Sequence, residues 1–416
     1  MYNAEKVWKT SQGAGVTVAV IDSGVDSSHP DLTGQVLPGK DFSGAGKPHE
    51  DTVGHGTGMA SLIAGHGHGV NGSEGVMGLA PKAKILPVRV SGAERSADDP
   101  TGGKIDTAGW TAGVRYAVEH GASVINLSLD DSSAYPGSKA AKAIEYAQSH
   151  NVVVVAAAGN DGGTVNYPAA LPGVVAVSAV DKGLNPWSKS NTGKVIVAAP
   201  GVEVAHADPT TKSGYTVGDG TSDSTAYVSA IVALLRSKYP DLTAGQIVNR
   251  LIKSASFLNN TGKKAPDSEL GYGIARPGSA LTMDIPKGSK EGPLAQALPS
   301  TSTESGAASA GNNSTSQAKD KKHSSSGGIL LIAGIAAAVV VIGIVFAVIR
   351  SRRNRGNGGP GNGGGMPPHG AGYPPQPPTG YQPYPNTPPN QGYPTPPGQS
   401  PQHPNPYAQQ PPHQGQ

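Results

Sequence analysis

The sequence predicts an α/β domain, a doubly wound and mostly parallel sheet flanked by helices. Three observations lead there. Six short apolar runs rich in valine and isoleucine recur between residues 16 and 199. Runs of that kind suit strands buried on both faces of a parallel sheet. Helical patterns fall between or after them, and alternating strand and helix is the pattern of a doubly wound sheet. The chain of 416 residues also has no cysteine. Its core therefore depends on apolar burial, without disulfides, thiolate zinc or iron–sulfur clusters.

Strands are predicted over VTVAVI (16–21), KILPVRV (84–90), SVINLSL (123–129), VVVVAAA (152–158), VVAVSAV (174–180) and VIVAA (195–199). Helices are predicted over 56–65, 106–120, 138–150, 222–238 and 243–254. In such folds ligands sit outside the carboxyl ends of the strands. The folded domain is expected to span residues 1–285.

Residues 286–328 are rich in Ser, Thr, Gly and Ala and read as a flexible tether. Residues 329–349, ILLIAGIAAAVVVIGIVFAVI, form 21 apolar positions without a charge. As a helix they span about 31 Å, close to the hydrocarbon thickness of a bilayer. Fourteen of them are Ile, Leu, Val or Phe, so insertion is favoured by roughly 6 kcal/mol. Arg350, Arg352, Arg353 and Arg355 follow directly, which places the C-terminal side in the cytoplasm and the domain outside it. Residues 350–416 are first basic, then rich in Pro, Gly, Tyr and Gln. Nineteen of the 37 prolines lie in 356–416. Such a segment cannot bury a core and reads as a disordered tail.

The formal charge of +3 divides unevenly. Residues 1–285 carry 23 Lys/Arg and 26 Asp/Glu, whereas 286–416 carry 9 and 3. The basic excess lies outside the folded part, so a nucleic-acid partner is not expected. An outward-facing domain needs an export signal, and residues 1–15 hold no apolar run. Either such a signal precedes residue 1, which is the expectation, or the 329–349 span inserts by itself and leaves the domain inside.

Three motifs fall where the sheet would put its site. Asp22 ends the first strand in VAVIDSGV, His55 opens a helix in DTVGHGTGMASLIAG, and Ser222 opens another in GDGTSDSTAYVSAIVALL. Singly, each has an ordinary reading: a turn aspartate, a loop histidine, an N-cap serine. Together they are the parts of a nucleophilic relay. Serine needs a base within hydrogen-bond reach, and the base needs a third group to fix its tautomer.

With HPDL (29–32), GLAPKAKILPVRV (78–90), INLSL (125–129), AAAGN (156–160) and SNTGKVIVAAPG (190–201), these motifs resemble the subtilisin-like serine proteases over roughly residues 5–280. The resemblance implies a subtilisin-like fold and a serine endopeptidase acting on polypeptides; no cofactor is expected. It implies that Asp22 orients His55, that His55 takes the proton of Ser222, and that Asn160 stabilises the oxyanion beside the Ser222 backbone N–H. It also implies that Ser128, Leu129 and Asp130 form the edge that pairs with substrate.

Two departures bear on activity. Asp223 stands where the family carries an apolar residue. A carboxylate 4–5 Å from the oxyanion would oppose it by about 3–4 kcal/mol at an effective dielectric near 20; one turned to solvent or paired with a cation would cost little. Asp130 stands where glycine is common, and either favours a basic substrate residue or narrows the pocket. His66 and His68, a loop pair without a third ligand, are expected to be solvated rather than metal-bound; Glu94–Asp106 reads as a solvated acidic insertion, with calcium at Asp98 and Asp99, as in loops of some relatives, as the alternative. The order of protease, tether, single span and short tail resembles the mycosins, membrane-anchored proteases that accompany type VII secretion systems. That resemblance implies a cell-membrane location and a secretion complex as partner, with a scaffold role as the alternative to catalysis.

Overall fold

The computed structural model describes residues 2–44, 46–91, 106–260 and 262–294. The 329–349 run, the tail after it, nearly all of the 94–106 insertion and the tether beyond 294 lie outside these residues. Among the described residues no helix is long and apolar enough to cross a membrane.

The strands are β1 (Thr17–Asp22), β2 (Lys40–Asp41), β3 (His66–His68), β4 (Glu74–Met77), β5 (Lys84–Arg89), β6 (Val124–Leu127), β7 (Val153–Ala157), β8 (Val175–Val180), β9 (Val197–Pro200), β10 (Val204–Ala207) and β11 (Tyr215–Gly218). The helices are α1 (Ala4–Trp8), α2 (His55–Ala64), α3 (Thr107–Glu119), α4 (Lys139–Ser149), α5 (Thr221–Lys238), α6 (Ala244–Ser254) and α7 (Pro277–Thr282). Seven strands form one sheet in the order β2-β5-β1-β6-β7-β8-β9. Every neighbouring pair is parallel. All six predicted strands and all five predicted helices are present, with ends shifted by one or two residues.

Each central strand buries both faces. Val18 and Val20 of β1 pack with α2, α5 and α6 on one side. Ala19 and Ile21 pack with α3 and α4 on the other. That is why the strands read as unbroken apolar runs. The winding reverses at β1, which has β5 on one side and β6 on the other. A crevice opens at such a reversal, beyond the carboxyl ends of the strands.

The helix starts divide in a way that matters for the site. Asp106, Ser138 and Thr243 cap α3, α4 and α6 with their side chains. By contrast α2 and α5 begin at Gly54 and Gly220, which have no side chain to cap with. Their first N–H groups are satisfied from elsewhere or left for a ligand.

Residues 286–294, assigned to the tether from sequence, run along α6. Thr243 Oγ1 donates to Lys290 O at 2.6 Å, Gln246 Nε2 to Gly288 O at 3.2 Å, and Asn249 Nδ2 to Pro286 O at 3.1 Å. Gly245 lets the segment approach, since a Cβ there would meet the Glu291 backbone at 2.3 Å.

Candidate active site

Asp22 is the last residue of β1 and is 6% exposed. Its Oδ1 accepts from its neighbour Ser23 N at 2.7 Å and lies 2.8 Å from His55 Nδ1. A carboxylate can only accept here, so Nδ1 carries the proton and Nε2 is left as the basic nitrogen.

The turn before His55 is built by Asp51. Its Oδ1 accepts from Ser23 Oγ, Val53 N and Gly54 N, and its Oδ2 from Thr57 N and Oγ1, at 2.6–3.1 Å. Ser23 Oγ in turn accepts from Gly56 N at 3.0 Å. One buried carboxylate thus holds both the α2 start and the residue beside Asp22. Gly54 has φ +84°, and a Cβ there would strike Asp208 Oδ1 at 2.2 Å. The glycine before His55 is required both by conformation and by space.

Ser222 is the second residue of α5. Its carbonyl accepts from Ser128 Oγ at 3.3 Å, and Ser128 Oγ accepts from Asn126 Nδ2 at 3.0 Å. Asn126 Oδ1 accepts from Ser229 Oγ at 2.9 Å. This buried chain locks the first turns of α5 to the end of β6. Ser128 therefore turns inward, Leu129 is buried, and Asp130 reaches the surface. The stretch 128–130 leaves β6 at the topological switch point.

Asn160 is held by its carbonyl oxygen. Thr221 N and Thr221 Oγ1 both donate to Oδ1, at 2.9 and 2.8 Å. A backbone N–H can only donate, which fixes the amide orientation and turns Nδ2 the other way. A carbon at the Cβ position of Gly220 would stand 3.6 Å from Ser222 N, 3.8 Å from Asn160 Nδ2 and 3.5 Å from Asp223 Oδ2. Two donors and one carboxylate oxygen therefore bound the space beside Gly220.

Asp22, His55, Ser128, Leu129, Asp130, Asn160 and Ser222 all line one cleft of about 790 Å³. The sequence placed all seven, and the fold gathers them. The cleft also contains Asp131, Asp161, Asp219 and Asp223, and none of its described lining residues is Lys or Arg. Burial, then the charges of Asp161 and Asp131, raise the Asp130 carboxyl above its usual range. Burial acts the same way on Asp131, but hydrogen bonds from Ser133, Thr107 and Trp110 outweigh it and hold that carboxyl low.

These features agree with the comparisons. Residues 13–273 match the profile of the Subtilase family, Peptidase_S8. The chain belongs to the subtilase family. It is 38% identical over 267 residues to thermitase of Thermoactinomyces vulgaris, covering 62% of this chain and 88% of that one. It is 39% identical over 260 residues to subtilisin E of Bacillus subtilis, covering 60% of this chain and 62% of that one. Among solved structures it resembles MycP1 from Mycobacterium smegmatis, at TM-score 0.55 and 28% identity, covering 70% of this chain and 85% of that one. MycP1 from the ESX-1 type VII secretion system gives TM-score 0.57 and 30% identity, covering 70% and 86%. As a subtilase the chain is a serine-type endopeptidase.

Sequence reasoning did not find every residue that lines or supports this subtilase cleft. Asp51 carries a signal, since an aspartate three residues before a helix-opening glycine is a turn former. His206 carries none. It sits in VAHA, a short strand with no periodicity to mark it. Asp223 is buried, so it does not turn to solvent; its Oδ1 lies 3.0 Å from His206 Nδ1. His66 and His68 are not in a solvated loop either. They form β3, paired to β4, where His68 Nδ1 contacts the fully buried Asp31 at 2.6 Å. Among the described residues no cluster has the ligands for a metal ion.

Proposed function

We propose that this protease hydrolyses peptide bonds through Asp22, His55 and Ser222, with Asn160 and the Ser222 N–H as oxyanion donors. The observation that carries the reading is the 2.8 Å contact from Asp22 Oδ1 to His55 Nδ1, in a cleft that also holds Ser222. His55 Nε2 takes the Ser222 Oγ proton as Oγ bonds to the scissile carbonyl carbon. The carbonyl oxygen becomes an oxyanion facing Asn160 Nδ2 and Ser222 N, at the positive end of α5. His55 then gives the proton to the leaving amine, and an acyl-enzyme remains. Water, deprotonated by His55, releases the acid and restores the serine. The segment 128–130 pairs with the substrate backbone as an added strand.

The same reading anchors the chain in the cell membrane through 329–349, with the catalytic domain outside, the tail in the cytoplasm, and a type VII secretion complex as partner. The uncharged apolar run and the likeness to MycP1 support it. A second reading, a scaffold with suppressed chemistry, is favoured by the carboxylate of Asp223 beside the oxyanion donors. A membrane-impermeant phosphonate probe applied to intact cells distinguishes them. Labelling of the full chain that Ser222→Ala abolishes is the expected result. An unlabelled wild type that labels only after lysis sinks the topology, and one that never labels sinks the catalytic reading.

A further inference from the structure

The couple His206–Asp223 is a buried ionisable pair to which the reaction above gives no role. His206 lies on β10, and Asp223 directly follows the nucleophile on α5. Their side chains are 8% and 5% exposed, and Nδ1 and Oδ1 stand 3.0 Å apart. The contact is off the line of a good hydrogen bond, and neither atom has another hydrogen-bond partner. The imidazole is clamped: a Cβ at Gly58 of α2 would lie 2.7 Å from its Cδ2, and one at Gly218 of β11 would lie 3.1 Å from its Cε1. His206 therefore bridges the helix that bears the base and the helix that bears the nucleophile.

The surrounding ionisable groups are otherwise engaged. On α2, His55 is held by Asp22. After β10, Asp208 accepts from Thr210 N and Oγ1. On β4, Glu74 faces His68 at 3.5 Å. On β11, the Tyr215 ring packs on His29 and His68. On α5, Tyr227 is pushed up to about 12 by burial and then by the charge of Asp223.

We propose that His206 is a positioning residue for catalysis, acting through Asp223: one proton shared by the pair cancels a carboxylate that would otherwise oppose the oxyanion. The inference rests on the protease reading above. Asp223 Oδ2 borders the same space beside Gly220 as Ser222 N and Asn160 Nδ2. It is thus within about 7 Å of both oxyanion donors. With one proton the pair is neutral overall, whether as imidazolium and carboxylate or as imidazole and acid. When that proton leaves, an uncancelled negative charge remains beside the position where the transition state builds its own. At an effective dielectric near 20 this slows acylation by about 10- to 100-fold. A subtilase with an apolar side chain at this position has no such term. Loss of that proton therefore adds a descending limb to the pH profile of the rate.

The test measures kcat and KM of the full chain on a peptide reporter from about pH 5 to 10, together with the rate of Ser222 phosphonylation. The proteins are wild type, Asp223→Asn, His206→Gln and the double variant. The wild type should show the descending limb in kcat and in phosphonylation, with KM nearly flat. Asp223→Asn should lose that limb and exceed wild type by about 10- to 100-fold at the alkaline end. His206→Gln, which cannot carry the proton, should be slow at every pH, and adding Asp223→Asn should rescue it. A purely structural histidine predicts no rescue and no limb. Superimposable profiles for wild type and Asp223→Asn overturn the inference even if His206→Gln fails to fold, while leaving the protease reading intact. A wild type unlabelled at every pH overturns that reading, and this inference with it.

Discussion

The carboxyl end of the sheet gathers six aspartates into a cleft with no Lys or Arg among its described lining residues. The opposite end buries two arginines. Arg236 donates to Leu242 O at 3.0 Å and to Asn151 O, just past the end of α4. Arg250 donates to Ala280 O at 2.6 Å, to Met283 O and to the Tyr239 hydroxyl, so it closes the C-terminus of α7. The two ends differ because α2, α3, α4 and α5 begin near the carboxyl ends of the strands and end at the other side, whereas α6 runs the other way, its first N–H donating to Asn151 Oδ1 just past the end of α4. The N-termini of the first four, with partial positive charge, meet at the strand ends where α2 and α5 begin. Their C-termini, with exposed carbonyls, meet at the other end. Carboxylates crowd the cleft at the first pole and Arg236 and Arg250 serve the second; Arg89, at the end of β5, is buried at the first pole but spends its donors on the Ser91 and Glu50 carbonyls. A developing oxyanion is stabilised only at the first.

The largest effect should come from breaking that pole at the carboxylate that holds His55. Asp22→Asn keeps the shape but offers His55 a neutral amide, which favours the wrong tautomer and no longer stabilises the imidazolium. A loss in kcat of about 10⁴-fold is expected with KM little changed. Steady-state kinetics on the folded variant checks it; a loss under tenfold would mean that the Asp22–His55 contact has no catalytic part.

The arginine pole sharpens the contrast, because it should govern stability alone. Arg250→Met strands buried carbonyls at Ala280 and Met283 and removes a cation 4.2 Å from the Tyr239 ring. A destabilisation of about 3 kcal/mol is expected from the unsatisfied groups. Denaturant unfolding measures it, and kcat of the folded fraction should match wild type. A parallel fall in kcat would show that the poles are coupled.

How far this polarity could be read from sequence depends on the kind of signal. The six central strands declare themselves, because burial on two faces leaves an unbroken apolar run. Asp22, His55, Ser222 and Asn160 declare themselves because each ends a strand or opens a helix inside a distinctive motif. The hairpins β3–β4 and β10–β11 do not: they are short, glycine-rich or interrupted by histidine, and pack through few side chains. His206 is therefore invisible until the fold brings β10 against α5, 17 residues further along the chain. The arginines at the other pole are equally silent. A buried Arg bound to main-chain carbonyls has no sequence partner to betray it. Asp223 shows the limit from the other side: its oddity is legible, but its burial and its imidazole partner are not.

The smallest effect concerns the rim of the acidic pole. Asp130 is pushed up by burial and by the like charges of Asp161 and Asp131. A carboxyl raised in the folded state binds its proton more tightly there than in the unfolded chain. Stability therefore falls as pH rises through the window between the unfolded value of 3.8 and the raised folded one. Asp130→Asn removes that penalty. The variant should melt higher than wild type at neutral pH and at the same temperature well below the window. Because Asp130 is partly open to solvent, screening keeps the effect small. The same substitution tests specificity, since Asp130 lines the cleft. A rim charge contributes about 1 kcal/mol or less, so the preference for a Lys over a Leu substrate, as the ratio of kcat/KM values, should drop by roughly fivefold at most. An unchanged ratio with a raised melting temperature would show that the crowding of carboxylates shapes the cleft without selecting what enters it.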